Sequence, residues 1–168
     1  MSAQPRVQSR AMRARIFFLL LAASGLAVAS NTREIQKAVS DDALLASAGI
    51  EPAKAELRKQ CSAAVVETDD PAEFFDCVYV QTSRELNLFT LEDGFLLSEL
   101  QLTLANMDGV ALQHMGRYVQ VQIFSGNRVA AIYIHDKNWI DPKQTEAVYQ
   151  WLLDHGVRPR DPRAWIGP

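Results

Sequence analysis

Two stretches of alternating character, residues 118–124 (YVQVQIF) and 129–135 (VAAIYIH), restrict this chain more than any other feature. Between them lie Ser125, Gly126, Asn127 and Arg128, and a two-residue Gly-Asn loop is a favourable hairpin turn. With Gly126 and Asn127 as the loop, Val119 faces Ile134, Val121 faces Ile132, and Ile123 faces Ala130. All six are apolar and share one face. A slip of one residue would send them to the other side, so turn and pattern specify one register. The opposite face carries Tyr118, Gln120, Gln122, Tyr133 and His135, which reads as a solvated or partner-binding surface. A preceding strand over residues 110–114, joined through Met115 and Gly116, adds Val110 and Leu112 to the apolar face.

Outside this segment the period looks helical. Residues 32–48 predict a first helix closed by Gly49. Residues 52–67 (PAKAELRKQCSAAVVE) predict a second, with Pro52 in its first turn and Leu57, Cys61 and Ala64 or Val65 on one side. A third is expected over residues 70–81, opened by Asp70-Pro71-Ala72-Glu73 as cap, N1 proline and acidic N3. A fourth, leucine-rich one spans residues 91–106, with Thr90 as cap and Asp93 three residues on. After the hairpin, Asp141-Pro142 caps a last helix through His155, with Gly156 as terminator and Val148, Leu152 and Tyr149 or Trp151 inward. The expected fold is α+β: a helical N-terminal part with a disulfide-linked helical hairpin, an antiparallel two- or three-stranded meander and a C-terminal helix. Its helices would cover one sheet face.

The disulfide in that expectation joins Cys61 to Cys77, the two cysteines of the chain. Each lies eight residues from Asp69, and equal distance from the turn of an antiparallel pair brings residues side by side. An oxidising compartment is needed for such a bond to persist, and the N-terminus predicts one. Arg6, Arg10, Arg13 and Arg15 precede a 14-residue apolar run (IFFLLLAASGLAVA) that closes on Ala27-Val28-Ala29. This is the layout of a signal peptide over residues 1–29, more compact if translation starts at Met12. The run is shorter than the roughly 20 apolar residues of a spanning helix. The expected organisation is thus a signal peptide, a single α+β domain over residues 30–157 and an extended Arg/Pro-rich arm over residues 158–168. Cleavage would leave 13 basic against 20 acidic residues, a net charge of −7 that opposes binding to nucleic acid.

For chemistry the sequence offers little. His135 with Asp136 or Asp141 at a strand end would suit a general base, but there is no H-x-x-x-H or H-E-x-x-H spacing for a metal. Neither a G-x-S-x-G serine nor a phosphate-cradling glycine loop is present, so no metal or cofactor is expected. Interaction residues remain: Trp139 after the hairpin, and Arg158, Arg160, Arg163 and Trp165 in the arm, tryptophan and arginine being favoured at binding hot spots. The sequence therefore reads as an exported, soluble, non-enzymatic binding or accessory protein of the cell envelope, either periplasmic or secreted. Its partner would be a protein, as for an inhibitor, an immunity-type protector or an assembly factor. One alternative is a small exported hydrolase using His135. Another is an inner-membrane subunit of an envelope complex that retains residues 16–29 as an anchor.

Overall fold

The computed structural model describes residues 32–67, 74–164 and 166. The signal segment, residues 68–73 and Trp165 therefore lie outside the described residues. The described elements belong to the compact unit Glu34–Pro168, whose first helix begins two residues earlier.

The architecture is a mainly antiparallel sheet, not a helical half followed by a small meander. Strands β1 (Leu57–Val66), β2 (Phe75–Gln81), β3 (Glu85–Glu92), β4 (Phe95–Thr103), β5 (Gly109–Met115), β6 (Tyr118–Ser125) and β7 (Arg128–Asp136) lie in the order β4-β3-β2-β1-β7-β6-β5. A short β8 (Trp139–Ile140) pairs with the end of β7. The helices are α1 (residues 32–39), α2 (Asp42–Ser47) and α3 (Pro142–Asp154).

Three of the expected helices are strands. Residues 57–66 form the central strand β1, bonded to β2 on one side and to β7 on the other. Lysine, glutamine and alanine favour a helix only by tenths of a kcal/mol each. Ladder partners on both sides outweigh that preference, and Val65 and Val66 suit a pleated strand. In the expected third helix, residues 75–81 are β2, whose Val78-Tyr79-Val80 run is β-branched and aromatic. The expected fourth helix is a hairpin: Asp93 and Gly94 take φ of 49° and 80° between Glu92 and Phe95, as a type I′ turn requires.

A bulge in β4 explains the leucine pattern that mimics a helix. The register steps from Leu88↔Leu100 to Phe89↔Ser98, leaving Glu99 extra. Before the bulge, Leu96 joins a cluster with Ile35, Ala38, Leu45, Val78, Val80 and Phe89. Beyond it, Leu100 and Leu102 join the opposite, main core. An extra residue flips the alternation, so leucines of one parity serve both faces.

The N-terminal and C-terminal helices occur where expected, with adjustments. Residues 32–48 form two helices because Asp41, extended at φ −90° and ψ 99°, caps α2 by accepting from the Leu44 N–H. Gly49 (φ 83°) ends α2 as a C′ residue, and the Ile50 N–H donates to the Leu45 carbonyl. Asp141 caps α3 through the Lys143 and Gln144 N–H groups, and Gly156 (φ 84°) closes it. Val148 and Leu152 of α3 pack on Cys61, Cys77, Ile123, Ile132 and Ile134. The helices therefore cover both sheet faces: α3 one, α1 and α2 part of the other.

Within the hairpin of β6 and β7, Val121 pairs with Ile132 and Ile123 with Ala130, the expected register. The turn from β5 into β6 is Gly116-Arg117, with Met115 paired to Tyr118, one residue later than the sequence reading placed it. Cys61 and Cys77 are directly paired and disulfide-bonded, their Cα atoms 4.9 Å apart. The bond therefore joins two strands, not two helices. Equal distance from the turn locates partners in any antiparallel pair, so the pairing survives the change of element type.

Candidate functional site

On the face opposite α3, three coverings meet around the middle of the sheet. α1 and α2 pack over β2, β3 and β4, whereas the C-terminal arm lies over β5, β6 and β7. Between them is a groove of about 480 Å³ lined by Ser62, Phe74, Met115, Tyr118, Tyr133, His135 and Ile140. A neighbouring hollow of about 530 Å³ shares Tyr118, His135 and Ile140 and adds Trp139.

Strand geometry opens this groove. The described pairing of β6 with β7 stops at Val121↔Ile132. Beyond it, β8 takes the place beside β7, so that His135 lies between Gln60 of β1 and Ile140 of β8. Tyr118 is therefore not the ladder partner of His135, as the sequence register implied; it lines the far wall of the groove. Met115, Tyr118 and Trp139 are all exposed, Trp139 by 78 %. Phe74 packs against Tyr133 with ring centroids 5.6 Å apart.

The polar floor is a short relay. Ser62 Oγ donates to Asp76 Oδ1 at 3.0 Å and lies 3.1 Å from His135 Nε2. A hydroxyl has one proton to give, and with it directed at Asp76, Ser62 Oγ accepts from the His135 Nε2–H. A serine nucleophile needs the opposite arrangement, with the histidine accepting the serine proton and the carboxylate behind the histidine. Here the serine stands between acid and base. Burial lowers the His135 pKa below its ordinary value, and the Asp76 carboxylate opposes that shift. The imidazole is thus a neutral hydrogen-bonding group near pH 7.

Neither carboxylate named from sequence for His135 is its partner; Ser62, backed by Asp76, is. The Asp141 carboxylate caps α3, and Asp136 lies exposed at the end of β7, in strand register with Trp139. Among the described residues no group of three or more His, Cys, Asp or Glu side chains is placed to hold a metal ion. Sequence reasoning missed Ser62, Phe74 and Asp76 because it placed the segments that hold them in two helices. The available signal was the hairpin symmetry about Asp69: it sets Ser62 opposite Asp76 as surely as Cys61 opposite Cys77.

The arm residues named as partner-binding are docked through their backbone. The Val110 N–H donates to the Arg158 carbonyl and the Arg160 N–H to the Val110 carbonyl, around a parallel bridge at Pro159. The Arg160 guanidinium lies 4.7 Å from the Phe124 ring centroid, and the Arg163 N–H donates to Gln122 Oε1 at 2.8 Å. Beneath the arm, Gln120 and Gln122 are fully buried, so this part of the polar hairpin face is covered and not solvated. Tyr133 is buried with them, and burial pushes its phenol up to about 12 against the hydrogen bond from Gln120.

Comparison with protein-family models and with curated proteins finds no match for this chain.

Proposed function

We propose that this chain is an exported binding or accessory protein of the cell envelope, and that the groove beside His135 receives an apolar or aromatic side chain of a protein partner. The observation that carries this reading is the groove itself: aromatic and aliphatic walls from Phe74, Tyr118, Tyr133, Met115 and Ile140, and a polar floor of Ser62 and His135. A highly exposed Trp139 stands at its mouth. Apolar walls with a few fixed polar groups are the usual make-up of a recognition site, and tryptophan is enriched among the residues that anchor partners. The relay direction at Ser62 argues against the hydrolase alternative, because its proton points away from His135. Export rests on the basic and apolar pattern of residues 1–29 and is supported by the Cys61–Cys77 bond. No helix among the described residues is long and apolar enough to cross a membrane.

The test is site-specific photocrosslinking in the native host. A photoreactive residue at position 139 is expected to trap one discrete protein adduct that is lost in Tyr118→Ala, whereas one at the exposed Phe95 on β4 should not. Equal adducts from both positions, or none from 139, would remove the groove as the docking site. The intact mass of the isolated protein checks export independently: it should begin near Ser30, and a mass retaining residues 16–29 would favour the anchored subunit instead.

A further inference from the structure

Buried glutamines on a sheet face need an explanation, because each amide brings two donors and an acceptor that burial leaves without water. Beneath the arm, Gln120 and Gln122 form one chain with Gln113. Gln122 Nε2 donates to Gln113 Oε1 and to Gln120 Oε1, both at 2.9 Å. Gln120 Nε2 donates to the Tyr133 hydroxyl at 2.8 Å and to the Ile166 carbonyl, and Tyr133 also donates to that carbonyl. Gln122 Oε1 accepts from the Arg163 N–H. Every amide position of Gln120 and Gln122 is thereby used, and the groups that hold the arm are fixed in direction by their neighbours in the chain.

What this row grips is main chain. One acceptor meets the N–H of residue 163 and a convergent pair of donors meets the C=O of residue 166. The side chains of Arg158, Arg160 and Arg163 are exposed, and Ile166 is the arm's apolar anchor, packed on Ala111, Phe124 and Val129. Among the described arm residues, this recognition reads an extended backbone, the apolar side chain of Ile166 and the Arg160 guanidinium over Phe124. Pro159 and Pro162 preset the extended form at low entropic cost.

We propose that this face is a binding site for extended peptide segments, occupied in the resting chain by its own C-terminal arm, and that its functional occupant is an extended, proline-containing segment of another protein with an apolar residue at the position of Ile166. The arm is a tethered stand-in that the incoming segment displaces. The site shares only Tyr133 with the groove beside His135, so loss of either leaves the other to be tested on its own.

The experiment uses the full chain and a fluorescein-labelled eight-residue peptide with the sequence of residues 161–168, followed by anisotropy. Ile166→Asp, which loosens the arm's anchor, should bind the peptide at least tenfold more tightly than the unaltered chain. A peptide methylated on the nitrogen that corresponds to Arg163 should lose at least tenfold. A peptide with alanine in place of Asp161 and Arg163, whose side chains are exposed, should stay within threefold. In the unaltered chain, excess peptide should speed hydrogen exchange at the Arg163 amide, a measurement that does not depend on any variant folding. Unchanged exchange, or equal binding by the methylated peptide, would overturn the proposal. A light-scattering mass that doubles with concentration and falls back in Ile166→Asp would also overturn it, assigning the site to the arm of a second copy.

Discussion

His135 is hydrogen-bonded, half-buried and held neutral by its surroundings, and that has a consequence for acid stability. Its pKa is lowered in the folded chain, whereas an unfolded histidine titrates near 6.5. As the pH falls through about 6.5, the unfolded chain takes up a proton that the folded chain resists, so stability is lost in that direction. The urea midpoint should therefore decline as the pH falls below ~6.5. His135→Gln, which can still donate to Ser62, should flatten that slope. Asp76→Asn should extend it to lower pH, because it removes the attraction that opposes the shift. On the other half of the face, Tyr133→Phe deletes a hydroxyl that accepts from Gln120 and donates to Ile166. It should cost about 1–3 kcal/mol in chemical denaturation, the usual penalty for leaving a buried amide short of a partner.

Turns and close approaches decide the elements, and two glycines separate these effects. Gly94 sits at φ 80° with nothing within 4 Å of a built Cβ, so Gly94→Ala should cost roughly 1–2 kcal/mol through backbone strain alone. Gly109 has no such strain, but a Cβ there would lie 2.2 Å from Arg160 Cδ and 3.0 Å from the Arg158 carbonyl. Gly109→Ala should shift the melting temperature little while speeding exchange at the Arg160 and Arg163 amides, because the arm must lift. The same contrast shows what the sequence could tell. The β6–β7 register, the capped α3 and the cysteine pairing follow from local chemistry: a Gly-Asn turn, an Asp-Pro cap, equal spacing about Asp69. β1 does not, because residues 57–66 carry helix-favouring side chains and become a strand only through β2 and β7, and Gln60 pairs with His135, 75 positions away. β3 and β4 were legible in Asp93-Gly94, a strong hairpin signal, but the bulge at Glu99 blurred the alternation around it. The groove could not be read because it depends on β6 parting from β7 and on which helices and arm stop short of it.

At the scale of the whole molecule, a long sheet is joined at its centre by the β1–β7 pairing, and the disulfide lies one strand away, between β1 and β2. Closing a loop of 16 residues is worth on the order of 3 kcal/mol in the chain-entropy model. The double variant Cys61→Ala, Cys77→Ala should lose about that much stability by urea titration. Both cysteines are fully buried, in the core that Val148 and Leu152 of α3 close. α3 follows every long strand in the chain, so an oxidant reaches the thiols only before α3 has docked, and a reductant reaches the bond only after it has lifted away. The redox state of this protein is therefore a written record: it preserves the conditions the chain met while folding and ignores those it meets afterwards.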